Sequence, residues 1–564
     1  MRISTAKLLR DAAIFLSLYG LATGILYLCG APTRIAAVAG LGIPIMAMPA
    51  WGFALLFPRR AFIGYGLYFL WALIWVADFF STGFVIARYN LSLESPVVLE
   101  ALATSSTLDV KEYFYDSWML MVVLLVAAPL LAWLLTALVR LSAKSVGPVS
   151  WHRGFVILAG LLLIVVPIAY HGNPVVARAD PLSRWVKFYK KYQNEETNRV
   201  LLVASRKDAE KRLAAWKPHI TGEGPKTFVM VLGESSNRAD WSLYGYKRKT
   251  TPQLDAMADE MLVFRDTVSS WGSSNREVTR IFTVADHEND QSWREEPDVI
   301  GLAKAAGYKT FWLTNQNAFL INTVFGKQAD RFVIVNDGLG QRSDTSLDEK
   351  LLPELDKALA DPAERKFIVL HTIGSHQHYQ LRYPENFPIY DDADDEVAHE
   401  MEARWSGLAV ARNHYDDTIR YTDFILASVI SRLKADRVKN SEMLYLSDHA
   451  QEVGHLTDVW GHQLQLESGF TIPLILWLKD RPDLLARKSA LELRPYQTDR
   501  IDWTILSRLD IATAFDRPDY DLTGDRFKPW QRMLTGRPYI PGMSHIVLPR
   551  DGSEVPYDEL RALN

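Results

Sequence analysis

A chain of 564 residues is too long for one ordinary compact domain, and 62 Lys+Arg against 66 Asp+Glu leave a net charge of −4, which excludes the basic footprint of a nucleic-acid binder. Hydrophobic residues make up 48% and tryptophans number 17, enough core-forming material to exclude global disorder. Cys29 is the single cysteine. Intramolecular disulfides and Cys-rich metal sites are therefore excluded, and any metal must be held by His, Asp, Glu or hydroxyl groups.

From the N-terminus, charge disappears over long windows. None lies between Asp11 and Arg34, Arg34 and Arg59, Arg60 and Asp78, Asp116 and Arg140, or Arg153 and Arg178. Most of these windows approach or exceed the roughly 20 apolar residues that cross a bilayer. The pattern predicts a transmembrane domain over 1–171 with five helices, near 12–31, 35–57, 61–80, 117–139 and 154–171. A cleaved signal peptide explains the first segment poorly, because Cys29-Gly30-Ala31 runs into a second apolar window. Arg2, Lys7, Arg10, Arg59, Arg60, Arg140, Lys144 and Arg153 fall on one side of this arrangement, which places that side in the cytoplasm. Five crossings then put everything after Tyr170 outside it.

The loop at 81–116 is long for a helix connection. It reads either as a lipid head-group site or as a solvated connector. Residues 172–225 follow: 181–193, PLSRWVKFYKKYQ, mixes aromatic with basic residues as an interfacial helix does, and 194–225 reads as a polar bridge.

Beyond Pro225 the period changes, and 226–564 reads as an α/β domain. Short apolar runs at 227–232, 310–313, 367–370, 443–446 and 472–478 look like buried strands. Helix-like stretches at 252–261, 298–306 and 400–434 separate them. Alternation of this kind predicts a mostly parallel central sheet covered on both faces, with ligands beyond the carboxyl ends of its strands.

Three of those ends carry metal-type side chains: Gly233-Glu234-Ser235, His371-Thr372-Ile373-Gly374-Ser375-His376, and Ser447-Asp448-His449. Glu234, Asp448 and His449 make an O, O, N set that leaves one position open for a hydroxyl nucleophile. The histidine favours zinc over Mg²⁺, which prefers oxygen ligands. Nucleophile candidates lie in Ser269-Ser270-Trp271-Gly272-Ser273-Ser274-Asn275, a Ser/Gly-rich turn before a predicted helix at 276–284, whose N-terminus suits a phosphate. The bland alternatives are a salt bridge at Glu234, capping by Asp448 and His449, and an ordinary N-cap serine.

Gly233-Glu234-Ser235, Ser242-Leu243-Tyr244-Gly245-Tyr246, Thr250-Thr251-Pro252, His371-Thr372-Ile373-Gly374-Ser375-His376 and Ser447-Asp448-His449 together resemble the bacterial phosphoethanolamine transferases. Ala306-Gly307-Tyr308-Lys309-Thr310-Phe311-Trp312-Leu313-Thr314-Asn315-Gln316 and Tyr383-Pro384-Glu385-Asn386 look most similar to the members that modify heptose of the lipopolysaccharide core. The resemblance implies a five-helix membrane domain and a periplasmic catalytic domain of alkaline phosphatase/sulfatase type, in a multi-pass protein of the bacterial inner membrane.

It also implies a reaction. Phosphatidylethanolamine is the donor, a zinc-bound hydroxyl takes the phosphoethanolamine group, and an envelope glycan (lipopolysaccharide core or lipid A first, then periplasmic glucan or cellulose) receives it. One zinc is expected, with a second as an option, held by Glu234, Asp448, His449 and the nucleophile. Matching the family's nucleophile region backwards from Phe282 gives Ser274, with Ser273 as second choice. His376 and His462 match histidines around the phosphoethanolamine group, while His371 and His455 are weaker candidates. Asn315, Glu100 and Thr104 complete the implied substrate contacts; Glu100 stands where the family has Asn four residues before a Thr, and its carboxylate can pair with the ethanolamine ammonium. Ala450-Gln451 replace the family's usual Gly-Glu after the histidine.

Rival readings are a phosphoglycerol transferase of the same superfamily acting on a periplasmic glucan or teichoic-acid-type acceptor, a membrane-anchored phosphatase or sulfatase, and an inactive scaffold. The 269–280 segment lacks the Cys/Ser-x-Pro-x-Arg pattern of sulfatases.

Overall fold

The computed structural model describes residues 5–29, 31, 33–89, 107–146, 153–173, 180–290, 292–316, 318–336 and 347–542. Two compact units divide the chain, one built mainly from residues up to Glu196 and the other mainly from Thr197–Pro549.

The first unit is helical: α1 Thr5–Leu28, α2 Thr33–Leu56, α3 Ala61–Tyr89, α4 Thr107–Val146 and α5 Arg153–Gly172. Among the described residues, four helices are long and apolar enough to span a bilayer, and α5 contributes the shorter apolar stretch Leu163–Gly172. The expected five spans therefore stand as four plus this shorter stretch. The two helices flanking the expected 81–116 loop also run further than their apolar windows, to Tyr89 and from Thr107. Glu100 and Thr104 lie outside the described residues.

Aromatic residues three and four apart stack along α3, Tyr68 on Trp71 and Trp71 on Trp75, because helical spacing puts i and i+3 or i+4 on one face. Ala132, Leu135 and Val139 of α4 close the same core. Trp75 Nε1 donates to the Ala39 carbonyl at 3.0 Å, satisfying the one polar atom that this buried indole carries.

A further helix, α6 Pro181–Trp216, replaces both the interfacial helix and most of the polar bridge expected at 194–225. Its polar sequence hid this, since the segment lacks the apolar stripe that marks a core-facing helix. At its start Arg184 lies 3.2 Å from Asp78 and donates to Thr82 Oγ1 at 2.5 Å. Asp180 meets His171 Nδ1 at 2.8 Å. Buried charges in such surroundings are kept only when paired.

The main elements of the second unit are, in chain order, β1 Lys226–Gly233, β2 Met261–Phe264, α7 Ser274–Phe282, α8 Val299–Ala305, β3 Lys309–Thr314, β4 Arg331–Ile334, α9 Leu351–Leu359, β5 Arg365–His371, α10 Ser406–Ala435, β6 Asn440–Ser447, β7 Leu474–Leu478 and α11 Ile501–Arg508. All five apolar runs lie in or overlap strands. The sheet runs β2-β7-β6-β1-β5-β3-β4. It is mixed: β6–β1, β1–β5, β5–β3 and β3–β4 pair parallel, as expected of its centre, while β2–β7 and β7–β6 at one edge pair antiparallel. Strand β2 is a correction, because it starts at Met261, the last residue of the stretch that reads as helix over 252–261, and no strand is expected from the sequence at 262–264. That helix stops at Ala256.

Strand β1 is buried along its whole length and alternates between two cores. Phe228, Met230 and Leu232 enter one core with α7, α8 and α11. Val229 and Val231 enter the other with α9 and α10. The period-2 geometry of a strand makes this division, and it leaves the carboxyl ends of β1, β3, β5 and β6 side by side on one edge.

Candidate metal and phosphoryl-transfer site

That edge gathers most of the sequence-predicted side chains. Glu234 follows β1, His449 lies two residues past β6, and Ser274 opens α7. Ser274 Oγ donates to Glu234 Oε2 at 3.0 Å and lies 3.3 Å from His449 Nε2. His462, on the connection between β6 and β7, brings its Nε2 to 3.1 Å from His449 Nε2. Glu234, His449 and His462 offer ligand atoms within 4.8 Å of one another, a spacing able to hold a metal ion. His449 Nδ1 sits 3.0 Å from the Ala450 carbonyl. Nδ1 thus donates to that carbonyl, which turns Nε2 toward the cluster.

Asp448 closes the group from behind. Its Oδ1 accepts from the backbone N–H of Ser235 at 3.1 Å and of His449 at 2.7 Å. Its Oδ2, 3.6 Å from His449 Nε2, is buried with no hydrogen-bond partner among the described residues. A buried carboxylate oxygen left bare in this way fits a cation better than any protein donor present.

The electrostatics agree. Burial opposes charge on Glu234, but His449 beside it outweighs that and holds the carboxyl well below its ordinary range. Burial and the Glu234 charge push Asp448 up to about 7. Burial works against a charged His449, yet the Asp448 and Glu234 carboxylates raise it to about 9. Two carboxylates crowded in low dielectric call for a positive charge between them.

Residues that carry no metal chemistry of their own fix this geometry. Ser235 takes a left-handed φ of 61°, an uncommon state for a residue with a side chain. It is held there by Tyr415 Oη, which donates to the Ser235 carbonyl at 2.7 Å. Tyr379 Oη donates to Gln451 Oε1. Gln451 Nε2 donates to Ser235 Oγ at 2.9 Å, and Ser235 Oγ passes its own hydrogen to Glu234 Oε1 at 2.6 Å. The amide at 451 thereby sets the direction of the relay. Gln316 Nε2 bridges Glu234 Oε2, at 3.0 Å, to the Thr372 carbonyl, at 2.7 Å. Gly374, at φ 48°, lies so close that a Cβ there would sit 2.8 Å from the Glu234 carbonyl oxygen.

Glu277 anchors the serine loop. Its Oε2 accepts from Ser270 N at 3.0 Å, Ser270 Oγ at 2.7 Å and Trp271 N at 2.7 Å, and its Oε1 accepts from Thr498 Oγ1. Ser235, Gln316 and Gln451 fall inside the quoted motifs with no role read for them, and Glu277, an acid in the first turn of α7, is not singled out by the sequence at all.

The remaining candidates fall elsewhere. His376 is half-buried in the turn after β5. His371 is buried, its Nδ1 3.3 Å from Thr314 Oγ1 and its ring edge-on to Trp312; burial drives its pKa down to about 4. Asn315 Nδ2 donates to Asp348 at 2.9 Å, and Asp348 accepts from Ile373 N and Gly374 N. Asn315 thus supports the 373–374 turn from outside the cluster. His455 Nε2 lies 2.9 Å from Asp240 in a separate buried network with Arg412. Ser273 Oγ is buried without a partner among the described residues.

Comparison with known proteins matches this architecture. The Sulfatase family model covers residues 226–511. Phosphoethanolamine transferase CptA of Salmonella typhimurium is 30% identical over 475 residues, spanning 78% of this chain and 79% of that protein. The crystal structure of the C-terminal periplasmic domain of EptC from Escherichia coli, in complex with Zn, aligns with TM-score 0.52 and 30% identity over 59% of this chain and 95% of that one. The integral membrane lipooligosaccharide phosphoethanolamine transferase A of Neisseria meningitidis shares the fold over 92% of this chain and 98% of that one, with TM-score 0.58 and 19% identity. A strand-end cluster on a sulfatase-type sheet, carried behind a bundle of apolar helices, accordingly has its relatives in one group: the chain belongs to the phosphoethanolamine transferases of the sulfatase and alkaline phosphatase superfamily.

Proposed function

We propose that this chain transfers phosphoethanolamine from phosphatidylethanolamine to an envelope glycan, with core heptose of lipopolysaccharide first among acceptors. The reaction runs on the periplasmic side of the inner membrane through a covalent intermediate on Ser274. The observation that carries this reading is the position of Ser274 Oγ, at a helix N-terminus and within 3.3 Å of both Glu234 and His449. The neighbouring Ser273 Oγ has no such partners. The names of CptA and EptA, phosphoethanolamine transferases, support the transferred group, and the EptA name supports a lipooligosaccharide acceptor.

Zinc fits the residues present. Glu234, Ser274, Asp448 and His449 would hold it, with His462 in reach, and when bound it supplies positive charge that favours the serine alkoxide and offsets phosphoryl charge. Ser274 Oγ releases its proton to solvent as it forms a bond to phosphorus, and takes one back from solvent when its ester breaks in the second half. The bond from phosphorus to diacylglycerol oxygen breaks, and His376 or His462 delivers a proton to that oxygen. In the second half, the same histidine takes a proton from the acceptor hydroxyl, whose oxygen bonds to phosphorus as the Ser274 ester breaks. Backbone N–H groups at the start of α7 face the phosphoryl oxygens in both halves.

The test is to incubate the full-length protein in detergent with phosphatidylethanolamine labelled in its head group, then trap and map the labelled residue. Label should sit on Ser274, and Ser274→Ala should lose it by about a thousandfold or more while Ser273→Ala keeps it. Wild-type labelling of Ser274→Ala sinks the assignment.

A further inference from the structure

The hairpin that carries His462 also carries an aromatic surface. It leaves the site at Gln451, pairs Val453 with Trp460 and Glu452 with Gly461, and returns at His462. Trp460 precedes His462 by two residues, so their Cα atoms lie no more than about 7 Å apart, with Gly461 between them at φ 102°. The Trp460 indole stacks on Trp405 with centroids 5.1 Å apart and planes at 26°, and its underside packs on Met401, Leu408 and Ala409.

Trp405 is the unusual partner. It is the one extended residue, at φ −168°, between the helix Glu396–Arg404 and α10. It remains 49% exposed, yet it is fixed on every other side. A Cβ at Gly407 would lie 2.8 Å from its ring, so only glycine lets the indole fold back over the helix start. Arg404 ties this corner to the hairpin, donating to Asp458 Oδ1 at 2.7 Å and to the Gly454 carbonyl at 2.5 Å. A large aromatic held rigid while half in water is pre-organised for a ligand, because its ordering is complete before binding.

The rim decides which ligand. Glu402, Arg404 and Ser406 flank Trp405 in the chain, Asp458 pairs with Arg404, and all four are exposed. Carboxylates at the rim oppose an anionic lipid surface, whereas they and the hydroxyl accept and donate hydrogen bonds to a polyol. A sugar ring combines an apolar C–H face, which stacks on an aromatic plane, with hydroxyls at its edge. We propose that Trp405 and Trp460 form an acceptor subsite that stacks a neutral sugar unit neighbouring the one modified. This rests on the transferase reading above and extends it to the acceptor's own contacts.

The probe is a heptose-containing core oligosaccharide, offered to the full-length enzyme in detergent with labelled phosphatidylethanolamine. Two steps are read separately: labelling of the enzyme, and transfer of label to the oligosaccharide. In Trp405→Ala, enzyme labelling should proceed, because Trp405 touches neither Ser274 nor the cluster, while the half-saturating oligosaccharide concentration should rise about tenfold. Trp405→Phe should restore the wild-type value. Trp405→Leu, which keeps apolar cover without a ring face and guards against a fold defect in the alanine variant, should behave as alanine does. Unchanged half-saturation in Trp405→Ala, or equal behaviour of the Leu and Phe variants, overturns the subsite. Loss of enzyme labelling or of vesicle binding in Trp405→Ala also overturns it, in favour of a structural or membrane-docking role. Absence of labelling in the wild type overturns the transferase reading itself, and is distinguished by occurring before any acceptor is added.

Discussion

Replacing Glu277 separates the scaffold of the site from its chemistry. With leucine at 277, the backbone N–H groups of Ser270 and Trp271 lose their buried acceptor, along with the Ser270 and Thr498 hydroxyls. The hydroxyls can rotate toward other partners. The two amides cannot, and at about 1–3 kcal/mol for each orphaned group the loss is about 2–6 kcal/mol. Glutamine is nearly isosteric: its oxygen can face residues 270 and 271 while its amide donates to Thr498.

The pH dependence then follows. Burial pushes Glu277 up to about 7 from an ordinary 4.5. A folded pKa above the unfolded one gives stability that is complete below about 4.5 and is lost as pH rises through about 7. The displacement corresponds to about 3 kcal/mol. Glu277→Gln never ionises, so its stability relative to wild type should climb between those two pH values and level off above them. The assay is thermal unfolding of the full chain in detergent across that range, paired with enzyme labelling by the donor. Glu277→Leu should lower the unfolding midpoint and cut labelling at least tenfold, while Glu277→Gln retains labelling. A leucine variant with wild-type labelling, or a flat difference between the glutamine variant and wild type, refutes the reasoning.

Asp448→Ala should lose bound zinc and donor labelling together, read by elemental analysis of the purified protein; normal zinc content removes Asp448 from the ligand set. Gly374→Ala should cost about 1–2 kcal/mol from its left-handed backbone alone, with a further penalty from the 2.8 Å approach to the Glu234 carbonyl. Its unfolding midpoint and metal content should both fall, and unchanged metal content would separate the turn from the cluster. Stripping the protein with a chelator should abolish labelling and lower the unfolding midpoint, because an ion that binds only the folded state stabilises it. Zinc addition should restore both.

The strands that build the sheet centre were legible because burial on both faces forces unbroken apolar runs. Strand β2 was not, since four apolar residues after a Pro-led helical turn fit either state. Helix α6 was hidden for the opposite reason: much of it is polar. At the site, the convergence of Glu234, Asp448 and His449 was legible because charged side chains at neighbouring strand ends meet on one edge of the sheet. His371 and Asn315 share those strand ends but turn inward, toward Trp312 and Asp348. Gln316, one residue beyond Asn315, takes the position beside Glu234 instead. Which of two adjacent polar residues faces the cluster depends on where the strand stops, and boundaries are the least legible feature of a sequence. The Tyr379–Gln451–Ser235 relay joins three segments far apart in the chain, so no local pattern announces it.

Strand β1 lies between β5 and β6, which are both made long after it. A chain synthesised from its N-terminus thus exposes Glu234 and Ser274 well before His449 and His462 exist. Until β6 and β7 have joined, Glu234 and Ser274 can meet each other but not Asp448, His449 or His462. On the transferase reading proposed above, competence to cleave a phosphodiester would in this way be withheld until biogenesis is finished, and a bilayer itself made of phosphodiesters would be spared attack from immature copies.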